Sequence, residues 1–115
     1  MRVPAVGYLR GHGGERGLAG ATRGRMVHAS ERLGLDLVDL YEDELGQPRR
    51  QLPAAIAAVA SGQAHVLVAG ARAHISLLPE VRTAVESIVS GCGGTVMYFD
   101  HIGTLTAYPP DVRGR

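Results

Sequence analysis

Three short segments of this chain are almost wholly apolar, and their spacing limits the possible folds more than any other feature. They are V-P-A-V-G-Y-L from Val3 to Leu9, A-H-V-L-V-A from Ala64 to Ala69, and T-V-M-Y-F from Thr95 to Phe99. Short continuous apolar runs are typical of strands that are covered on both faces of a sheet. We therefore expect these segments to be strands of a sheet with helices on both sides.

The segments between these strands have the patterns of helices and of one further strand. Residues 18–33 interleave apolar residues with arginines before Gly34, and residues 52–61 place apolar residues at helical spacing before Gly62. Leu35 to Tyr41 alternates as L-D-L-V-D-L-Y, which predicts a strand. Alternating strands and helices form parallel sheets. The predicted fold is α/β with three layers: a mainly parallel four-stranded sheet of order 2-1-3-4, with a short fifth strand or a frayed tail near the C-terminus.

A third amphipathic pattern precedes the last of the apolar strands and is the clearest in the chain. Its apolar members follow helical spacing and are Leu77, Val81, Ala84, Val85, Ile88 and Val89. Such a pattern predicts a helix that packs its apolar side on the core, and an exposed part of that side could form a dimer face.

Length and composition limit the protein class. A chain of 115 residues with 45% hydrophobic residues is long enough for one core, which we place in residues 1–106, with residues 107–115 as a C-terminal tail. No apolar run approaches the roughly 18 residues of a membrane span, and the first residues have no secretory pattern. The single cysteine, Cys92, excludes an intramolecular disulfide and a cysteine zinc site. We expect a cytoplasmic protein without a membrane partner.

The charged residues are balanced and unusual in kind. All 12 basic residues are arginine, the chain has no lysine or asparagine, and glycine is abundant, which is typical of a GC-rich bacterial genome. The formal net charge is only +1. A broad positive surface of the kind that covers many DNA phosphates is therefore excluded, and any contact with nucleic acid must be local.

One pattern occurs after two of the predicted strands: Arg10-Gly11-His12 follows the first, and Arg72-Ala73-His74 follows the third. In the strand order 2-1-3-4 these loops are neighbours, at the edge where parallel sheets bind ligands. Arginine forks suit phosphate or carboxylate, and nearby glycine backbone N–H groups suit the same anion. The residues predict an anion site, and the alternative is that the arginines are solvated or paired with the acidic run Glu42-Asp43-Glu44.

Three other kinds of site are weaker alternatives. The glycines between Gly11 and Gly17 have spacing that resembles a dinucleotide-binding loop, and Asp39 or the acidic run after the second strand could hold the ribose. The chain lacks room for the substrate half that such an enzyme needs. His12, His74 and Asp43 could bind a metal, although no closely spaced histidine pair supports this. Cys92 lies in a glycine-rich turn and is expected to be inert. We expect no metal and no cofactor.

Three segments together resemble a known family. They are Ala5 to Arg10 (A-V-G-Y-L-R), residues 50–68, and residues 95–104. They resemble, in the same order, three segments of the serine recombinases, the resolvase and invertase family. The first segment resembles that family's first strand, which ends in Tyr-x-Arg-x-Ser. The second resembles its second helix and third strand, and the third resembles its fourth strand. The resemblance covers about residues 4–106 and implies a resolvase-like fold.

The resemblance also implies roles for individual residues. In the resembling family, certain residues shape the active site and hold the scissile phosphate. The corresponding residues of this chain are Tyr8, Arg10, Asp43, Arg50 (or its neighbour Arg49) and Arg72. The nucleophilic serine corresponds to His12, and two further family residues, an aspartate and an arginine after the third strand, correspond to Ala71 and Ile75. Neither Thr22 nor Ser76 stands at a position that would replace the serine.

These departures change the expected chemistry. Serine recombinases attack DNA through the serine hydroxyl while arginines stabilise the developing charge, and loss of one such donor costs roughly 100- to 1000-fold in rate. We therefore expect a catalytically degenerate module that binds or regulates, with Arg10, Arg72, Arg50 and Tyr8 at a phosphate or nucleic-acid-backbone site supported by His12, His74 and Asp43. The partner is DNA, another phosphate-bearing ligand, a protein or a second copy. The alternatives are a phosphoryl-transfer or hydrolytic enzyme that uses His12, and a nucleotide-binding α/β domain.

Overall fold

The computed structural model describes residues 2–11, 16–99 and 105–108, and it describes side chains for residues 2–11 and 23–99. Its elements, in chain order, are β1 (Val3–Gly11), α1 (Arg16–Arg32), β2 (Leu35–Glu44), α2 (Gln51–Ala60), β3 (Val66–Ala69), α3 (Arg72–Ile75), α4 (Pro79–Gly91), β4 (Thr95–Phe99) and β5 (Leu105–Tyr108). No helix within these ranges has the length and apolarity that crossing a membrane requires.

The five strands form one sheet in the order β2-β1-β3-β4-β5. The first four are parallel, and β5 pairs antiparallel with β4. This confirms the predicted order 2-1-3-4 and the short fifth strand. The predicted domain boundary after residue 106 falls within β5 (Leu105–Tyr108), residues 109–115 lie outside the described residues, and the boundary itself stays a prediction.

Apolar side chains bury both faces of the sheet, as the continuous apolar strands predicted. On one face α2 and α4 pack against a core that includes Tyr8, Leu67 and Tyr98. On the other face α1 contributes Met26 to a core with Leu9 and Phe99. Alternating residues of one strand thus serve different cores, since Tyr8 and Leu9 point to opposite sides.

The ends of several elements follow the glycines that the sequence analysis singled out. Gly34 and Gly62 have φ of 77° and 84°, in the left-handed region that glycine enters without a steric penalty, and they lie just beyond α1 and α2. β2, however, continues to Glu44, so the acidic residues that the sequence placed after the strand lie in it. This extension brings Asp43 level with Arg10 in the pairing of β1 and β2.

One expectation about packing was wrong in part. Only Val85 and Val89 of the predicted apolar pattern on α4 (Pro79–Gly91) are buried, whereas Leu77, Val81 and Ile88 are exposed. The short helix α3 (Arg72–Ile75) between β3 and α4 was not predicted either, because its single turn is too short to show a periodic pattern.

Candidate functional site

The carboxyl ends of β1, β2 and β3 meet at one edge of the sheet, where the two Arg-x-His segments were predicted to be neighbours. β1 lies between β2 and β3, and the Gly70 N–H after β3 donates to the Tyr8 carbonyl at 3.0 Å. Arg10 is still within β1, and Arg72 begins α3. The strands therefore place the chain segments of the predicted site side by side.

Tyr8 and Asp43 are joined by a hydrogen bond that links β1 to β2 and to α2. The Tyr8 hydroxyl donates to Asp43 Oδ2 at 2.8 Å. The same carboxylate accepts the backbone N–H of Gln51, at 3.1 Å to Oδ1 and 3.0 Å to Oδ2, at the start of α2. A carboxylate there satisfies a free N–H group and interacts favourably with the helix dipole. Asp43 therefore fixes the start of α2 against the sheet.

Burial, the Asp43 hydrogen bond and the Asp43 charge together raise the pKa of Tyr8 well above its ordinary value, in that order of size. The guanidinium groups of Arg49 and Arg10 act in the opposite direction on this pKa. The hydroxyl thus remains protonated and continues to donate to Asp43 throughout the physiological range.

Arg10 and Arg49 lie close to Tyr8, and both donate to backbone carbonyls. Arg10 Nη2 donates to the Gln47 carbonyl at 2.9 Å, and Arg49 Nε donates to the His74 carbonyl at 3.3 Å. Within the described part of the chain, neither guanidinium forms an ion pair with a carboxylate. Among the acidic residues Glu42 to Glu44, Glu42 pairs with Arg23, and Arg10 and Arg49 pair with none of the three.

His74 lies over Gly70, where a side chain would collide with it. A Cβ at residue 70 would stand 2.7 Å from His74 Nδ1 and would also overlap Leu9. Burial, followed by the positive charges of Arg10 and Arg49, lowers the pKa of His74 below its ordinary value, so this imidazole is neutral at pH 7.

Two nitrogen atoms of this group are buried without a hydrogen-bond partner among the described residues: Arg10 Nε and His74 Nδ1. A buried donor without an acceptor costs about 1–3 kcal/mol, and more when it belongs to a charged group. Such atoms are uncommon in folded proteins, and each of them requires an explanation. We call Tyr8, Arg10, Asp43, Arg49 and His74 the strand-end cluster.

The structure places the remaining predicted arginines outside this cluster. Arg72 is exposed and stacks on the ring of Tyr98, with 5.3 Å from Cζ to the ring centroid, and Tyr98 donates its hydroxyl to Glu86 Oε2 at 2.7 Å. Arg50 is exposed at the residue before α2. Both therefore lie at the same sheet edge as the cluster.

Several other predicted residues can be placed only in part. His12, with the neighbouring glycines Gly13 and Gly14, lies outside the described residues, so the predicted position of the missing nucleophile is not described. Asp39, the ribose ligand of the dinucleotide alternative, lies in β2 and accepts the N–H of Leu40 at 2.8 Å. Cys92 is exposed directly after α4.

No group of three histidine, cysteine, aspartate or glutamate side chains within the described ranges is arranged to hold a metal ion. The metal alternative built on His74 and Asp43 therefore gains no support from this part of the chain. Its third member, His12, lies outside the described residues.

Arg49 is the one cluster residue to which sequence reasoning gave no primary role. The resemblance left the choice between Arg49 and Arg50 open and favoured Arg50. The turn of residues 45–48 between β2 and α2 decides which of the two adjacent arginines faces the sheet, and no periodic pattern specifies that orientation. Arg49 could have been predicted from its position, because it lies shortly before a helix at the edge of the sheet where parallel sheets bind ligands.

Comparison with known proteins supports the fold. No protein-family model and no curated protein sequence matches this chain. Among solved structures, it is similar to the C-terminal catalytic domain of ISC1926 TnpA, an IS607-like serine recombinase. The TM-score is 0.75 at 15% sequence identity, over 85% of this chain and 70% of that chain. The predicted resolvase-like fold is thus confirmed.

Proposed function

We propose that this chain, which has the fold of a serine recombinase catalytic domain, binds a phosphate-bearing ligand at the strand-end cluster without cutting it. Arg10 and Arg49 are the proposed phosphate-binding residues, and the proposed ligand class is a nucleic-acid backbone or another phosphate ester. Arg50 and Arg72 are exposed at the same edge and add positive charge around the cluster.

The observation that carries this proposal is that the Asp43 carboxylate accepts its hydrogen bonds from groups other than the two arginines. Asp43 accepts hydrogen bonds from the Tyr8 hydroxyl and from the Gln51 N–H, whereas Arg10 and Arg49 donate to carbonyl oxygens. Carbonyls carry no net charge and neither guanidinium is ion-paired with a described carboxylate, so the two positive charges of the cluster exceed the single negative charge of Asp43. An edge with two such arginines attracts an anion, and an arginine fork matches phosphate geometry.

The contacts of Arg10 also favour a change when an anion arrives. In the present arrangement Nη2 donates to the Gln47 carbonyl while Nε is buried without an acceptor. A phosphate that accepts from both Nε and Nη2 would replace one hydrogen bond to an uncharged carbonyl by two hydrogen bonds to an oppositely charged group. Release of Arg10 from Gln47 is therefore the rearrangement that we expect on binding.

Two positions argue against cleavage by the mechanism of the resembling family. His12 stands where that family has its serine nucleophile, and Ile75 stands where it has an arginine. The Ile75 side chain is fully buried in the core, so this position supplies an apolar contact to the fold and no positive charge to a phosphate. The proposed module therefore lacks both a hydroxyl nucleophile and one stabilising donor.

The test is the affinity for a short DNA duplex, measured by fluorescence anisotropy over a series of salt concentrations. Two phosphate contacts predict a slope of log K against log salt of about −2, and Arg10→Ala or Arg49→Ala should each reduce that slope by about 1. Each variant should also weaken binding roughly 10- to 100-fold, since a hydrogen bond to a charged group contributes about 1.5–3 kcal/mol.

Arg32→Ala is the matched control, because it removes the same charge from an exposed position in the last turn of α1, before β2 begins. The control should bind like the parent protein. If all three variants weakened binding equally, the ligand would respond only to overall charge, and the site would be wrong. A covalent protein–DNA adduct that the parent protein forms and His12→Ala does not would favour the enzyme alternative.

A further inference from the structure

His74 is held beside the two arginines of the strand-end cluster through its backbone and through its ring. Its carbonyl accepts from Arg49 Nε at 3.3 Å. Its ring lies against Gly70, where a Cβ would stand 2.7 Å from Nδ1 and 2.8 Å from Cε1. The Gly70 N–H donates to the Tyr8 carbonyl at 3.0 Å, so the ring lies on the backbone that joins β3 to β1. The imidazole therefore has a defined place at the edge of the sheet where the phosphate is proposed to bind.

Both charges that act on this imidazole are positive, and they belong to Arg10 of β1 and Arg49 before α2. α3, which carries His74, also packs against β3, whose four residues are apolar, and against α4. The other charged or titratable side chains on the elements around α3 have contacts elsewhere or are exposed: Tyr8 and Asp43 contact each other, Arg72 lies on the Tyr98 ring, Arg82 donates to the Ser76 carbonyl, Glu86 accepts the Tyr98 hydroxyl, and Glu80 is exposed.

This environment keeps His74 neutral in the free protein. Burial, followed by the positive charges of Arg10 and Arg49, lowers the pKa of the imidazole. A protonated imidazole also donates from both ring nitrogens. Nδ1 is buried and has no hydrogen-bond partner among the described residues, so the charged ring would hold a donor without an acceptor.

We propose that phosphate binding at the strand-end cluster is coupled to protonation of His74, which then supplies the third positive charge of the site. This inference rests on the proposed function. A phosphate held by Arg10 and Arg49 offsets the two charges that oppose protonation of the ring, and it places a negative charge close to the ring. Because linkage is reciprocal, the protonated protein binds the phosphate more tightly than the neutral one.

The direction of the pH dependence follows from these charges. The pKa of His74 lies below its ordinary value in the free protein and rises when the anion binds, so binding takes up a proton at pH values between the two. Affinity therefore increases as pH falls through this range and becomes constant below it. An opposite charge within about 4–6 Å raises the pKa of a cationic group by about 1 or more, so we expect binding to tighten about 10-fold from pH 8 to pH 5.5.

Fluorescence anisotropy with the same short DNA duplex, at constant salt from pH 5.5 to pH 8, tests the coupling. A phosphodiester keeps its charge over this range, whereas inorganic phosphate does not, so the change in affinity reports on the protein. The parent protein should gain about 10-fold at pH 5.5, and His74→Gln, which does not titrate, should lose most of this gain. His28→Gln is the matched control, because it removes an exposed histidine of α1, and it should keep the pH dependence of the parent.

NMR of the His74 Cε1–H signal measures the coupling in the parent protein, without a variant. The midpoint of its pH titration should lie at a higher pH with the DNA duplex than without it. If DNA is bound but the midpoint stays the same, or if His74→Gln keeps the full gain in affinity, the coupling is wrong and the phosphate site stands. If DNA is not bound at any pH, the proposed function and the coupling both fail.

Discussion

Replacement of Tyr8 by Phe removes one hydroxyl from the strand-end cluster and leaves the ring that packs in the core. Tyr8 is fully buried, and its hydroxyl donates to the Asp43 carboxylate at 2.8 Å. A hydrogen bond to a charged group contributes about 1.5–3 kcal/mol. Asp43 keeps its contact with the Gln51 N–H, so we expect a loss of about 2 kcal/mol in the free energy of unfolding. At about 4–8 °C per kcal/mol in a small domain, Tm should fall by about 10 °C.

Urea unfolding at pH 7, followed by circular dichroism, measures this loss. Tyr41→Phe is the matched control, because Tyr41 is half-buried on the neighbouring strand and its hydroxyl makes no hydrogen bond within the described residues. The control should change the free energy of unfolding by less than about 0.5 kcal/mol. A double-mutant cycle of Tyr8→Phe with Asp43→Asn should give an interaction energy of at least about 1 kcal/mol. An interaction energy near zero would refute the proposed link between β1, β2 and α2.

Three further changes test other parts of the structure. His74 has a lowered pKa when folded, so the unfolded chain binds a proton first as pH falls through 6.5. As pH falls below 6.5, the free energy of unfolding of the parent protein should therefore decrease more steeply than that of His74→Gln. Urea unfolding at several pH values measures both, and equal slopes of this free energy against pH would contradict the burial of the imidazole. Gly70→Ala would bring a Cβ against His74 and Leu9, and overpacking of this kind costs about 1–3 kcal/mol, whereas an unchanged Tm would show that the two side chains move aside freely. Tyr98→Phe removes the hydrogen bond to Glu86 and should cost about 1.5–3 kcal/mol in urea unfolding, unless that contact is absent in solution.

The sequence was sufficient to predict the order of the strands in the sheet, but it was insufficient to predict which side of a helix packs on the sheet. Continuous apolar runs identify strands that are covered on both faces, and β4 (Thr95–Phe99) has the predicted bounds. The apolar pattern of α4 did not reveal which of its members pack on the sheet. Val85 and Val89 do so and Val81 and Ile88 do not, because the apolar residues extend over a wider arc of the helix than the part that faces the core.

The sequence predicted which strand ends lie side by side, but it did not predict the side-chain contacts there. The observed strand order places Arg10 of β1 and Arg72 of α3 at one edge of the sheet. Which guanidinium faces the cluster depends on side-chain neighbours that are distant in the chain. Arg72 stacks on Tyr98 of β4, and Arg49 reaches the His74 carbonyl across 25 residues. The hydrogen bond from Tyr8 to Asp43 depends likewise on β2 extending beyond the segment that its alternating pattern marks.

The central claim is that Arg10 and Arg49 together hold a phosphate, and NMR of the arginine Nε–H groups tests it most directly. Inorganic phosphate is titrated into the ¹⁵N-labelled protein while the Nε–H signals of Arg10, Arg49 and the distant Arg32 are followed. We predict saturable shifts of the Arg10 and Arg49 signals with one shared affinity, and no saturable shift of the Arg32 signal. Equal and unsaturable shifts of all three, or none, would contradict the proposed site.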